Sequence, residues 1–303
     1  GMFLYVECNE HGLSSEKVES DSQFFKLRYE LEYEKDCNHL SLPVTYRCNL
    51  KCRYCYSLSN TLLPLPEDRT VGKITGIFRT FGGNVSLIGG EPTVRKDLLQ
   101  IIRVAKEIDS KRKISICTNG QKLRDIEFVK ELKNSGLNFV FLSLDDIEYI
   151  GSEIIYQNKI EALKNCHKLR IPVWLQRTID NLGQLDSIFE LLETYKRVIF
   201  NVSIRSVMPY GMLYPPQLIF VSEILKYLKK ENSYTKGVSP FNTYIALKGK
   251  NVKLCSWVND MKRLDPIDSN YIISNDMFTT FHRGMKLDEV LLKNQSRKIQ
   301  FAY

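Results

Sequence analysis

The sequence predicts an α/β fold built on a parallel sheet, and three observations carry that prediction. From about residue 42 to residue 230, short apolar strand-like runs alternate with amphipathic helix-like stretches, the pattern of parallel strands joined by helical crossovers. Two motifs, one rich in cysteine and one in glycine, each follow an apolar run directly. They therefore belong to loops at the C-terminal ends of strands. The chain has 303 residues, 43% of them hydrophobic and 11% aromatic, which is enough to bury a full core.

The elements follow in order. The first forty residues are mixed and charged, with a candidate hairpin at 24–34, and are expected to cover one edge of an open sheet. Strands are expected at 42–47, 85–89, 113–118, 138–144, 172–179 and 198–207. Helices are expected at 67–80, 97–109, 124–134, 152–169, 184–195 and 216–230. The last begins beside Pro215-Pro216, a favourable helix entry. Right-handed crossovers put every strand's C-terminal end on one face. After residue 231 the periodicity changes. Residues 242–247 and 251–257 read as a hairpin around Lys248-Gly249-Lys250, and 271–274 with 277–281 as another around Asn275-Asp276. A short helix at 287–293 and a polar tail close the chain. The expected division is an edge segment at 1–40, the main α/β domain at 41–231 and a small α+β C-terminal cap at 232–303.

Bulk properties exclude several classes. The start of the chain lacks a basic segment followed by a long apolar run, and no apolar stretch approaches the length of a bilayer span. No membrane association is expected, and a cytoplasmic location is. Eight cysteines in a chain this long do not make a disulfide scaffold; Cys8, Cys37, Cys117, Cys166 and Cys255 are scattered without paired spacing. The net charge of +8 comes without a run of Lys or Arg, so it reads as a solvated basic surface, with no nucleic-acid site.

Chemistry concentrates in the two motifs. Cys48, Cys52 and Cys55 stand at C-x-x-x-C-x-x-C spacing after the first strand. Thiolates are soft ligands suited to an iron–sulfur cluster, and three of them on a four-iron cubane leave one iron open to bind something small. Zinc is the competing reading, but it wants a fourth Cys or His, and the loop has none. About forty residues on, Gly89-Gly90-Glu91-Pro92 follows the second strand.

In this order, and with the aromatic Tyr54 before the last cysteine, the motifs resemble the radical S-adenosylmethionine (SAM) superfamily. That resemblance implies a partial (β/α)6 TIM-like barrel and two cofactors, a [4Fe–4S] cluster on Cys48, Cys52 and Cys55 and SAM chelated to its open iron. Reductive cleavage of SAM would give a 5′-deoxyadenosyl radical that abstracts a hydrogen atom from a substrate. It implies a cellular one-electron reductant such as flavodoxin or ferredoxin as partner. Gly89, Gly90, Glu91 and Pro92 would meet the methionine end of SAM, with Glu91 serving the ammonium directly or through backbone. Tyr54 would touch adenine. Ser143, which shares a strand face with Asp145, is the ribose candidate, and Asn119, Gln176 and Thr178 face SAM or substrate. Met208-Pro209-Tyr210-Gly211 resembles the strand-six ending with which family members hold adenine, so Met208 and Pro209 join the cofactor set.

On the sixth strand Asn201, Ser203 and Arg205 alternate with Phe200, Val202 and Ile204. The apolar set is expected against the helices and the polar set in the barrel lumen, where Arg205 is either a substrate anchor for a carboxylate or phosphate or the partner of Asp145 or Asp146. The C-terminal pattern at 271–282 and 287–291 resembles a cluster-free remnant of the auxiliary-cluster (SPASM/twitch) extension, because no cysteine stands near Phe281 or His282. Cys255 is then a structural thiol or, as in radical SAM epimerases, a hydrogen-atom donor. The expected function is hydrogen abstraction from a polar small molecule or peptide, sugar or nucleotide. Alternatives are an epimerase using Cys255, a glycyl-radical activase acting on a partner protein, and a non-catalytic iron–sulfur or SAM-binding protein.

Overall fold

The computed structural model describes residues 2–8, 12–24, 39–52, 54–55, 59, 67–147, 151–207, 219–229, 234–238, 242–255 and 298–302. The expected alternation is present. Strands β3 (His39–Thr45), β4 (Asn84–Gly89), β5 (Ile114–Thr118), β6 (Phe139–Ser143), β7 (Val173–Ile179) and β8 (Ile199–Ser206) pair in parallel in that order. Helices α1 (Val71–Thr80), α2 (Leu98–Ile108), α3 (Ile126–Asn134), α4 (Glu153–Lys168), α5 (Asp186–Thr194) and α6 (Val221–Leu228) connect or follow them. The sheet is open and mostly parallel, as a partial TIM-like barrel is. Among the described residues no helix is long and apolar enough to cross a membrane.

Boundaries differ from expectation where side chains redirect the backbone. Helix α1 starts at Val71 because Thr70 caps it, accepting from the Lys73 amide at 3.3 Å. Two residues before it, Asp68 and Arg69, expected to be helical, tie down the end of β3 instead. Arg69 donates to the Pro43 carbonyl at 2.7 Å, and Asp68 pairs with Arg47. The buried Arg95 donates to the Val44 and Arg69 carbonyls at 2.6 and 2.9 Å and pairs with Asp97, whose pKa this hydrogen bonding holds low.

The C-terminal strands belong to the main sheet. Strands β9 (Tyr234–Val238), β10 (Asn242–Leu247) and β11 (Lys250–Cys255) complete a nine-stranded sheet in the order β3-β4-β5-β6-β7-β8-β11-β10-β9. Strand β11 runs parallel to β8, with Asn251, Lys253 and Cys255 beside Asn201, Ser203 and Arg205. Strands β1 (Met2–Cys8), β2 (Gly12–Glu19) and β12 (Lys298–Ala302) form a separate antiparallel sheet. It is tied to α6 through Glu19 and Ser20, which both bond Ser222. The hairpin expected at 24–34, apart from Phe24, lies outside the described residues, as do the second C-terminal hairpin, the helix at 287–293 and the remnant motif.

One apolar core lies between sheet and helices, where Val140, Leu142, Val173, Leu175, Val202 and Ile204 have no measurable exposure. The opposite, concave face carries the alternate residues. Phe200, expected against the helices, is on the concave side. It packs on Phe139 and Trp174 at ring distances of 5.6 and 5.7 Å, because a register shift opposite Val173/Trp174 inserts one residue into β8 and turns it over. The sheet also curls. Loss of water first, and then the Lys253 charge from the far side of the sheet, push the His39 imidazole below its ordinary pKa.

Two outcomes follow. Arg177 is 1% exposed and donates to the Leu144 carbonyl at 2.7 Å and to Asp146 at 2.8 Å, and it also bonds Ser187. Replacing it (Arg177→Met) strips these partners and is expected to cost roughly 3 kcal/mol, read from urea unfolding. Because folding depresses the His39 pKa, the folded chain binds fewer protons there than the unfolded chain. Stability from this group is complete well above the unfolded value of 6.5 and falls as pH drops through it. The loss of urea midpoint between pH 7.5 and 5.5 is therefore expected to shrink in His39→Gln.

Candidate active site at the strand ends

The cysteine loop is held by the glycine motif through backbone. The Gly90 amide donates to the Thr45 carbonyl and the Glu91 amide to the Arg47 carbonyl, both at 2.9 Å. The two chains approach so closely that a methyl group on Gly89 would overlap the Thr45 carbonyl oxygen, and one on Gly90 the Arg47 oxygen. Gly89 also has φ +135°, a conformation open to glycine. The glycines are thus required by the loop that carries Cys48, independently of any ligand.

Glu91 is wholly buried and faces inward. Its carboxylate accepts from the Thr93 amide (3.1 Å) and hydroxyl (2.6 Å), the Thr118 hydroxyl (2.7 Å) and the Asn119 amide (2.6 Å). Burial pushes its pKa up, and the four donors oppose that. The side chain expected to meet an ammonium therefore braces the end of β5 against the turn that starts at Pro92, itself buried.

Above the concave face an open cavity gathers Cys48, Cys52, Cys55, Tyr54, Gly89, Gly90, Asn119, Ser143, Gln176, Thr178 and Arg205. Asn201 and Ser203 lie lower on β8, and Ser203 accepts from the Trp174 indole at 2.8 Å. Cys255 is half-buried in register with Arg205. Met208 and Pro209 lie outside the described residues. The Tyr54 hydroxyl donates to Asp145, which also accepts from Ser143 (3.2 Å) and the Thr178 amide (2.7 Å). Tyr54, Ser143 and Thr178 are thereby fixed as one wall. Asp146 pairs with Arg177.

Lys159 was not singled out by sequence. It is 1% exposed, reaches from α4 into the cavity and donates to the Ser143 carbonyl at 2.8 Å. The signal was present: it interrupts the apolar stripe Ile155, Ala162, Cys166 at i, i+3, i+4 spacing.

The residues fit a cluster. Cys48, Cys52 and Cys55 are half-buried. Burial pushes Cys48 up to about 12 and raises Cys52, whose nearest relief is the Lys159 charge. The Leu50 amide (3.4 Å) and Asn119 Nδ2 (3.9 Å) point at the Cys48 sulfur, contacts that favour its thiolate once iron replaces the proton. Among the described residues no group of three or more Cys, His, Asp and Glu converges as ligands of a single ion do. A four-iron cubane instead takes its thiolates at separate corners.

Comparison with known proteins agrees. The Radical SAM superfamily description matches residues 42–183. Fe-coproporphyrin III synthase of Methanosarcina barkeri is 37% identical over 177 residues, covering 55% of this chain and 44% of the relative. GTP 3',8-cyclase of Campylobacter jejuni subsp. doylei is 32% identical over 202 residues, covering 60% of this chain and 61% of the relative. The chain thus spans about half to three-fifths of these curated relatives. The crystal structure of Streptococcus suis SuiB bound to precursor peptide SuiA superposes with TM-score 0.52 at 19% identity, covering 64% of this chain and 45% of that one. At that identity the likeness concerns the fold alone.

Gly90→Ala is expected to push the cysteine loop off β4. The predicted readout is a stability loss of about 2–3 kcal/mol together with a fall in iron bound per chain after anaerobic reconstitution.

Proposed function

We propose that this chain, which matches the Radical SAM superfamily over residues 42–183, is a radical SAM enzyme that abstracts a hydrogen atom from a polar substrate seated in the lumen below the cysteine loop. When bound, the [4Fe–4S] cluster and SAM supply the chemistry, reductive cleavage to a 5′-deoxyadenosyl radical, with the electron drawn from a reductant such as flavodoxin or ferredoxin.

The observation that carries this reading is a set of polar rows beneath the loop. Ser143, Gln176 and Ser203 lie side by side in register, and above them Thr178 and Arg205. A polar concave surface inside an α/β sheet is costly unless something polar occupies it. Cys48, Cys52 and Cys55 would hold the cluster and leave one iron for SAM's amino and carboxylate groups. The buried Lys159 ammonium, held at the Ser143 carbonyl, would face the SAM carboxylate. Asn119, Ser143, Gln176 and Thr178 are the remaining polar contacts for SAM, and the Gly89-Gly90 backbone leaves room for its methionine end. Glu91 would act by positioning. Arg205 would orient an anionic group of the substrate, and Asn201 and Ser203 would line the space below it.

A second reading rests on Cys255. Its place beside Arg205 on β11 would let its thiol return a hydrogen atom to a substrate radical, the act of an epimerase that consumes SAM. A Cys255→Ala variant that cleaves SAM and still inverts a stereocentre would rule this out.

The test is anaerobic. After cluster reconstitution, reduction with dithionite and addition of SAM, 5′-deoxyadenosine is expected from the full chain and not from Cys52→Ala. Lys159→Met is expected to weaken SAM binding about ten-fold, measured by equilibrium dialysis. Product formation that survives Cys52→Ala would sink the proposal.

A further inference from the structure

Below the polar rows the lumen changes character. Phe141 and Trp174 lie side by side in register, their rings 5.1 Å apart and inclined by 37°. Phe139 and Phe200 stand edge-on to them, Phe139 to Phe141 at 5.1 Å and 65°, and Phe200 to Trp174 at 5.7 Å and 79°. These rings share the concave face with Ser143, Gln176 and Thr178, since each lies an even number of residues from them or, for Phe200, is turned there by the inserted residue. They are not packed as core is. Phe200 is 37% exposed and the other three are half-buried, whereas Val140 and Leu142 on the helix side are at 0%. Four partly exposed aromatic rings therefore line the lower part of this face.

The walls above these rings are cationic. Lys253 lies beside Ser203, and Arg205 one row higher. Lys253 projects to the concave side, since its neighbours Val252 and Leu254 are in the core and its charge is felt at His39. Asp145 stands level with Thr178 in the upper row, where it already accepts from Tyr54, Ser143 and the Thr178 amide. Rows two residues apart along a strand are separated by roughly 7 Å and neighbouring strands by roughly 5 Å, so measured along the sheet the cations stand roughly 12 to 14 Å from Trp174, a span that their long side chains shorten.

We infer that the lower lumen is a recognition subsite for a small planar aromatic anion, its ring on Phe141 and Trp174 and its anionic group at Lys253 and Arg205. This rests on the proposed function, in that the substrate enters the lumen, and it names the substrate class. Trp174 is oriented by its indole bond to Ser203. An aromatic face prefers an aromatic partner to a saturated one of similar size, while the cations select for charge at the other end.

The experiment titrates the full, cluster-reconstituted chain with phenyl phosphate and with cyclohexyl phosphate by calorimetry. The aromatic probe is expected to bind about five- to ten-fold more tightly. Trp174→Leu should erase that preference and Trp174→Tyr should keep it, while Lys253→Gln should weaken both probes by a similar factor. Circular dichroism and iron content check each variant, and Phe141→Leu replaces Trp174→Leu if the latter does not fold. Equal affinity for the two probes, binding of neither, or a preference that survives loss of the ring overturns the inference. 5′-deoxyadenosine formation by the wild-type chain is measured in parallel. Cleavage without ring preference removes only this subsite, whereas absence of cleavage removes the proposed function.

Discussion

Two backbone hydrogen bonds, from Gly90 to Thr45 and from Glu91 to Arg47, are the contacts on which the site depends. They join the ends of two neighbouring strands just before Cys48, where the chain leaves the sheet. A loop that must present three thiols around one cavity cannot be left to its own conformational entropy. Here it is anchored at its root by strand ends, and the anchor is itself locked. Glu91 accepts four hydrogen bonds from the turn after β4 and the end of β5. Arg95, Arg69 and Asp68 clamp the same strand end from the other side. The cysteine loop and the strand ends around the cavity thus share one rigid frame.

A single sheet serves two solvents. Alternation, broken once at Phe200, puts mostly aliphatic side chains against the helices and polar or aromatic ones in the lumen, so the residues that stabilise the fold and those that line the cavity come from the same strands. Asp145 and Asp146, adjacent in sequence, show the separation. The first fixes the cavity wall through Tyr54, Ser143 and Thr178, and the second pairs with Arg177 behind the sheet. Lys159 crosses between the two zones: its helix packs on the core while its ammonium reaches the cavity.

The sheet does not stop at the six strands. Strand β11 adds to β8 in parallel and brings Lys253 and Cys255 to the lumen rows. Its hairpin partner β10 then turns outward to β9. Charge in the lumen therefore comes partly from a segment far along the chain from the cysteine motif.

The sequence by itself determined the six strand–helix units to within a few residues, and the position of the cysteine loop and of the glycine motif at neighbouring strand ends. Periodicity and short motifs are local properties, legible without neighbours. It also placed Ser143, Gln176, Thr178 and Arg205 on the cavity side, because alternation within one strand suffices for that. The tertiary structure alone decided the rest. Phe200 changed faces because one inserted residue shifts pairing with β7, and a register is a property of two strands. Glu91 turned inward because its four donors lie on β5 and the turn after β4. The short first helix, Lys159 in the cavity and the joining of β11 to β8 have the same origin. Each is settled by partners distant in sequence, whose positions exist only once the chain has folded.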